Sequence, residues 1–467
     1  MDTYQRSVID AVLAGKSIFL TGAGGTGKSH ILNVLYTEYN KTGRKMAVTA
    51  LTGCAALLLG PHAKTLHSWA GIGLGRGPVA PMISAIALNG RKKKAWVKTD
   101  CLVIDEISML QPGLLDTLDE IGRVIRKNRT VPMGGLQIVF VGDFHQLPPV
   151  NKEEKTASFA FQSPAWKRIV EANYELTTIY RQSDPVFQTI LNEARVGELS
   201  KESYATLEGR KGVSWKGKLI RPTLLFTRND NVNELNRQHL EKLTGEAKVF
   251  KATTQSVGTI PGSEPKQKTI DKFFGKAGPA ATLDPEELAK RVARLDKDAP
   301  YEAELTLKVG AQVMLLTNRN PEEGLVNGSR GVIVSFGEDD TPIVKFLSMK
   351  EPVPVPRHEW EDEAEAGTAK VIRSQIPLRL AYALTIHKAQ GASLDCALVD
   401  IGRSTFEYGQ AYVALSRVRN LEGLYVYDID PVAFRVHPAV KEFYATLNDI
   451  PDTPADKIVD GAPQFLE

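Results

Sequence analysis

The sequence predicts an α/β protein with parallel sheets and inserted segments, and three observations predict it. Short apolar runs alternate with helical stretches: Met46–Ala50, Cys101–Ile104, Ile138–Val141, Thr223–Phe226, Ala397–Val399 and Leu424–Val426. Near the start, the apolar run Ser17–Leu20 leads through the glycine-rich turn "TGAGGTGKS" into a helix with Ile31, Leu32 and Leu35 on one face. From Leu305 to Phe346 the texture becomes β, in "VGAQVMLLTN", "GLVNGSRGVIVSF" and "TPIVKF", with Asn327-Gly328 as a hairpin signal. In such a fold, chemistry belongs at the carboxyl ends of the strands.

The first element already specifies a ligand class. The spacing Gly22-x-x-x-x-Gly27-Lys28-Ser29 is that of a phosphate-binding loop. Side chains must be absent where backbone N–H groups wrap a phosphate, which suits Gly22, Gly24, Gly25 and Gly27, with Thr26 as the remaining cradle residue. The helix that follows turns its positive end toward the anion. Lys28 is placed to reach the β- and γ-phosphates of a nucleoside triphosphate, and Ser29 to ligate Mg²⁺.

"CLVIDEISML" then ends a buried strand on Asp105-Glu106. Asp105 suits the second hold on Mg²⁺, and Glu106 suits the base or water-positioner that hydrolysis needs. A small-molecule kinase has no need of that Glu, so the pair favours an ATPase. "IVFVGDFHQLPPV" ends a neighbouring strand, with Gln146 placed to sense the γ-phosphate and Pro148-Pro149 stiffening the loop. Later, Arg181 in "IYRQSD" and Arg417 in "YVALSRVRN" each follow an apolar run, where a cleft arginine could neutralise developing phosphate charge.

Composition bounds the rest. The 467 residues allow two or more domains, and the 42% hydrophobic content supports real cores. Lys+Arg 58 against Asp+Glu 55 leaves only +3, so any basic path for nucleic acid must be local. Cys54, Cys101 and Cys396 form no metal or disulfide pattern, which points to a reducing compartment. No apolar run is long enough to cross a membrane, and the first functional signal lies too near the start for a signal or transit peptide. The expected location is intracellular, in cytoplasm or nucleus. Residues 245–300, rich in Lys, Pro, Gly and Thr, read as a flexible insertion, Glu359–Glu365 as a solvated loop, and 451–467 as a disordered tail.

The order of these blocks resembles the superfamily 1 helicases that move 5′ to 3′: GAGGTGKS, "LTGCAALLLGPHAKTLHSWAGIGLG", "VIDEISML", "VGDFHQLPPV", "YRQ", "ALTIHKAQGASLD" and "YVALSRVRNLEGLYV". "DEISMLQPGLLDTLDEIGRVIR" is similar to the signature of the petite-integration-frequency (Pif) helicases, relatives of the RecD-like and Dda-like enzymes. "TLHSWAGIGLG" and "GLVNGSRGVI" are similar to that family too. The likeness runs from about Asp2 to Asp428, apart from the insertion.

This resemblance implies two RecA-like motor domains. The first covers residues 1–175, with a small wedge insertion at about 60–98; the second covers 176–240 and 370–440. An insertion fills 241–369, β-barrel-like over 305–350. It implies that Gln5 reads adenine, that Arg181 and Arg417 are arginine fingers, and that Gly391 lies near the γ-phosphate. Thr52, Gly53, Thr65, His67 and Ser68 in the first domain, with Thr385, His387 and Lys388 in the second, would bind the backbone of single-stranded DNA without reading bases. The activity implied is ATP-dependent unwinding of duplex DNA by a monomeric motor working on single strands and junctions. A translocase that strips proteins from single strands would share every motif. A P-loop switch would not need the second motor half.

Four places keep two readings. Trp69 could stack a base, but its apolar surroundings favour core packing, and Phe144 is open to the same choice. The basic run Arg91-Lys92-Lys93-Lys94 reads as a solvated turn or as a DNA contact at the fork. Gln267, Ile270, Phe273 and Phe274 resemble the peptide that docks on sliding clamps, and would otherwise fold back into the insertion.

Overall fold

The computed structural model describes residues 2–60, 62–73, 75, 77–149, 157–217, 220–226, 232–257, 284–298, 300–320, 323, 325–361, 370–390, 392–403 and 405–447. Gln267, Ile270, Phe273, Phe274, Gly391 and the tail 451–467 lie outside them.

The first domain is built on β1 (Ile18–Gly22), β2 (Met46–Ala50), β3 (Ala63–Thr65), β4 (Cys101–Asp105), β5 (Gln137–Val141) and β6 (Ala172–Leu176). They form one parallel sheet in the order β3-β2-β4-β5-β1-β6. A parallel sheet needs cover on both faces, and the strands supply apolar residues to both. Ile18, Leu20, Cys101, Val103, Val139 and Val141 enter one core with the helices Thr3–Leu13 and Lys28–Lys41. Phe19, Leu102, Ile104, Ile138 and Phe140 enter the other with Leu115, Leu118 and Ile121 of the helix Pro112–Ile125. Phe144 and Trp69 belong to this second core, so both are packing residues.

The second domain carries β7 (Thr223–Phe226), then an insertion. Within the insertion lie β8 (Lys248–Lys251), β9 (Thr253–Val257), β10 (Glu304–Leu307), β11 (Gln312–Leu315), β12 (Arg330–Phe336), β13 (Pro342–Phe346), β14 (Val353–Pro354), β15 (His358–Glu361), β16 (Lys370–Gln375) and β17 (Leu378–Leu380). The domain resumes with β18 (Ala383–Thr385), β19 (Ala397–Ile401) and β20 (Leu424–Ile429), and its sheet is parallel in the order β18-β7-β19-β20.

The insertion departs from expectation in two ways. Among the described residues no closed barrel forms: β14-β13-β12-β11-β17 is an open antiparallel sheet, and with the pair β10-β8 it encloses one apolar core containing Phe250, Leu305, Val313, Ile333 and Phe346. Nor are the described residues within 245–300 structureless. β8 pairs with β10 through the buried Phe250, β9 pairs with β16, and the helix Pro285–Asp298 is tied down by Asp296, which accepts from Arg373 at 2.7 Å and from the Tyr301 hydroxyl at 2.7 Å. Polar composition hid strands whose apolar partners lie far along the chain. Glu359–Glu361, read as loop, belongs to β15, where Trp360 is buried beside Tyr301.

The last described helix also lies where the sequence did not place it. Val436, Val440 and Tyr444, around the helix Pro438–Leu447, join the first domain's core. Phe443 stacks on Phe161 at 4.2 Å, so the second domain's last segment returns to the first. In the proposed wedge, Arg91–Lys94 lie in the helix Gly90–Lys98 and not in a turn, because Trp96 anchors that helix in the core.

Candidate functional site: a nucleotide cleft and a strand-binding groove

β4, β5 and β1 are neighbours, so their carboxyl ends bring the glycine loop, Asp105-Glu106 and Gln146 to one edge of the sheet. Close approach explains the loop's composition. A Cβ at Gly22 would meet the Leu176 carbonyl oxygen at 2.5 Å, and one at Gly25 would meet Arg181 Cβ at 2.6 Å. Both glycines have positive φ, 142° and 91°. The buried Thr26 hydroxyl donates to the Ala23 carbonyl at 2.9 Å, fixing the turn. Lys28 Nζ donates to the carbonyls of Gly22 at 2.6 Å and Ala23 at 2.9 Å. Burial lowers the Lys28 pKa, and the charges of Asp143, Asp105 and Glu106 oppose that shift.

The second domain closes the other side. Gly24, Lys28, Ser29, Asp105, Glu106, Gln146, Arg181 and Arg417 all line one cleft of about 340 Å³. Arg417 is 2% exposed. Burial, then the like charge of Arg181, pushes its pKa down to about 10, and burial lowers that of Arg181 as well. Among the described residues these two guanidiniums bond only to carbonyls and to the Ser416 hydroxyl, and neither makes an ion pair with a carboxylate. Desolvated, unpaired cations facing a glycine cradle form a donor set that a polyphosphate would complete. Opposite them, Asp105 has its pKa pushed up to about 7 by burial and by the charge of Glu106, a setting that a divalent cation would relieve. Ser29 and Asp105 are therefore the fitting pair for Mg²⁺. Glu106 sits at φ 56°, in the left-handed region, and such strain gathers at functional sites.

Two cleft residues escaped the sequence. The Gln390 side-chain amide donates to Glu106 Oε2 at 3.0 Å and to Gln146 Oε1 at 3.3 Å, joining the second domain to the hydrolytic pair. The Tyr412 hydroxyl accepts from the Gly24 N–H at 2.8 Å and donates to Asp143 Oδ2 at 3.3 Å. Both stand inside motifs already noted, "HKAQG" and "YVALSR", but their partners lie in the other domain. Gln5 is buried in the helix Thr3–Leu13. It caps the first helix through Asp2, and its amide nitrogen lies at the end of the glycine loop, 3.4 Å from where a Gly27 Cβ would stand.

A separate groove of roughly 1250 Å³ runs between the domains. Thr52, Gly53, Thr65 and His67 line it from the first domain, and Asn233, Arg237 and Arg379 from the second side. Thr52 Oγ1 accepts from Ala55 N–H at 3.2 Å and Thr65 Oγ1 from Ser68 N–H at 3.3 Å. These caps use a lone pair and leave each O–H to donate to an anion. Arg379, which sequence reasoning missed, makes no ion pair among the described residues. Ser68 is half-buried beside this wall. Thr385 does not line the groove: it is 2% exposed at the end of β18, since strand pairing with β7 carries it into the core. His387 and Lys388 fall in the helix Ile386–Ala389 that follows.

This architecture has known counterparts. The family description "PIF1-like helicase" matches residues 1–202, and "DNA helicase Pif1, 2B domain" matches residues 292–336. The Pif1 helicase crystal structure from Candida albicans is 34% identical, with a TM-score of 0.74, over 96% of this chain and 99% of that one. The chain belongs to the PIF1-like helicase family. Its two parallel-sheet domains are the RecA-like pair of that family. Human ATP-dependent DNA helicase PIF1 is 40% identical over 446 residues, 95% of this chain and 63% of the human protein. The chain thus spans less than two thirds of that relative. A Bacteroides Pif1 structure in complex with ADP-AlF3 and ssDNA is 26% identical, with a TM-score of 0.61, over 96% of this chain and 97% of that one.

Proposed function

We propose that this PIF1-like chain is an ATP-driven DNA helicase that moves 5′ to 3′ on single-stranded DNA and separates the duplex ahead of it. The observation that carries the reading is the shared construction of the two sites. The cleft and the groove are each lined by both motor domains, so a change in domain closure at one must be felt at the other. The relatives support the substrate classes: the human protein is named an ATP-dependent DNA helicase, and the Bacteroides one is seen with ADP-AlF3 and ssDNA.

ATP would lie with its phosphates in the loop Gly22–Lys28. Lys28, Arg181 and Arg417 would neutralise the charge that develops on the γ-phosphate, and Glu106 would take a proton from the attacking water, held by Gln146 and Gln390. Ser29 and Asp105 would hold Mg²⁺, which would supply further charge neutralisation. In the groove, hydroxyls, backbone N–H groups and Arg379 would hold phosphates without reading sequence. The working unit is a monomer acting at single-strand/duplex junctions.

The test is single-turnover unwinding of one duplex carrying either a 5′ or a 3′ single-stranded tail, with Lys28→Ala alongside. Unwinding from the 5′ tail alone, abolished in Lys28→Ala, is the expected result. Unwinding from the 3′ tail would reverse the polarity. DNA-stimulated hydrolysis with neither duplex opened would make the chain a translocase.

A further inference from the structure

The chain as a whole nearly balances 58 basic against 55 acidic residues, but not evenly. No aspartate or glutamate stands between Glu38 and Asp100. Within that stretch the helix Gly90–Lys98 holds Arg91, Lys92, Lys93, Lys94 and Lys98. At about 100° per residue, Arg91, Lys94 and Lys98 share the face opposite the buried Trp96. Lys93, Lys94 and Lys98 are exposed, and among the described residues none of the three side chains makes an ion pair. Five cations on little more than two turns repel one another, a cost that local stability does not explain.

The helix is mounted on the groove wall. Trp96 Nε1 donates to the Ala70 carbonyl at 2.9 Å, and its ring packs on Trp69 at 4.8 Å. The Lys92 stem lies where a Gly71 Cβ would stand, at 2.8 Å. Thr65, His67 and Gly73 of the same segment line the groove. A polyanion leaving the groove past Gly73 would therefore meet this helix next. The groove has room and hydroxyls for one strand. The helix offers an open convex row of cations, which suits the outside of a duplex.

We propose that the outer face of helix Gly90–Lys98 binds the phosphate backbone of duplex DNA just beyond the single-strand groove. This rests on the reading of the chain as a DNA motor. The contacts are non-specific and electrostatic, so they add counterion release to junction binding but nothing to single-strand binding.

The experiment compares wild type with Lys93→Ala/Lys94→Ala/Lys98→Ala, without nucleotide, on a fluorescent single strand and on the same strand as the 5′ tail of a duplex, across a salt series. Alanine is a better helix former than lysine, and Lys92 is left in place, so the helix persists. The expected result is junction affinity lower by on the order of tenfold, with single-strand affinity unchanged. The salt slope for the junction should flatten by roughly two to three, about 0.9 per lost phosphate contact. Unchanged junction binding, or equal losses on both substrates, overturns the proposal while leaving the motor intact. Wild type binding neither substrate overturns the motor reading itself.

Discussion

At Gly25 the backbone of the phosphate loop touches the residue expected to act on the phosphate. The Tyr180 N–H donates to the Gly25 carbonyl at 2.9 Å, and the Arg181 Cβ lies 2.6 Å from where a Gly25 Cβ would stand. Gly25→Ala would impose a positive φ on alanine, at about 1–2 kcal/mol, and push Arg181 out of the cleft. Hydrolysis should fall at least tenfold while the melting temperature drops by only a few degrees; a rate within twofold of wild type would show that this approach is not used. The loop, Asp105, Glu106 and Gln146 were legible because each stands at a fixed offset from a strand in its own domain. Gln390 and Tyr412 were not, because their partners are 284 and 388 residues away, and no spacing rule connects a glutamine to a glutamate across a cleft. Thr385 was misplaced for the converse reason: a motif gives order along the chain but not which side of a strand is covered.

Among the elements, the helix Pro438–Leu447 had no counterpart in the sequence reading. Its apolar residues look like any amphipathic helix, and nothing local says that they complete a core begun at Phe19. The strands were easier, since β1, β2, β4 and β5 are continuous apolar runs buried on both faces. β3, β6 and β18 are short or partly polar and passed unseen. The returning helix meets a buried charge cluster. Tyr444 Oη lies 2.6 Å from Thr21 Oγ1 and donates to Asp143 Oδ1 at 3.2 Å, while Arg195 Nε donates to Asp143 Oδ2 at 2.9 Å. Asp143 is 1% exposed. Burial alone would raise its pKa, but Arg195 and His145 outweigh that and hold it well below the usual carboxylate range. A depressed folded pKa contributes stability that is present above the unfolded value, near 3.9, and lost only on falling through the folded one. Wild type should therefore melt at nearly constant temperature from pH 5 to 8 as far as this cluster decides it. Arg195→Met leaves burial as the dominant influence and the pKa rises, so the sign reverses and stability is lost as pH increases. The variant should be weaker by about 3–5 kcal/mol at pH 7 and should melt lower at pH 8 than at pH 5. Parallel melting curves for the two proteins would refute this account of Asp143.

For the whole molecule the question is how the cleft and the groove communicate. Both are interdomain spaces, so the rigid contacts between the domains must carry the signal. Gly409 packs so tightly on the first domain that a Cβ there would lie 2.3 Å from the His145 carbonyl oxygen. The helix Gln410–Leu415 that starts at this contact carries Tyr412 to the glycine loop and ends just before Arg417. One rigid element thus spans a domain contact, a phosphate-loop N–H and an arginine of the cleft. A strand drawn into the groove would shift the second domain, and this helix would deliver that shift to the nucleotide. Tyr412→Phe keeps the ring and the packing but removes the hydroxyl that joins Gly24 to Asp143. Lys28, Glu106 and both arginines remain, so hydrolysis without DNA should stay within about threefold of wild type. The coupling should not survive intact. Communication between sites amounts to 1–3 kcal/mol in typical cases, so stimulation of hydrolysis by single-stranded DNA should fall by about fivefold or more. Steady-state ATPase rates with and without a saturating single strand measure both quantities in one series. Equal losses in the two rates would make Tyr412 a structural support of the loop. A stimulation ratio equal to wild type would move the coupling to the bridge from the Gln390 side chain to Glu106, which joins the second domain to the hydrolytic centre.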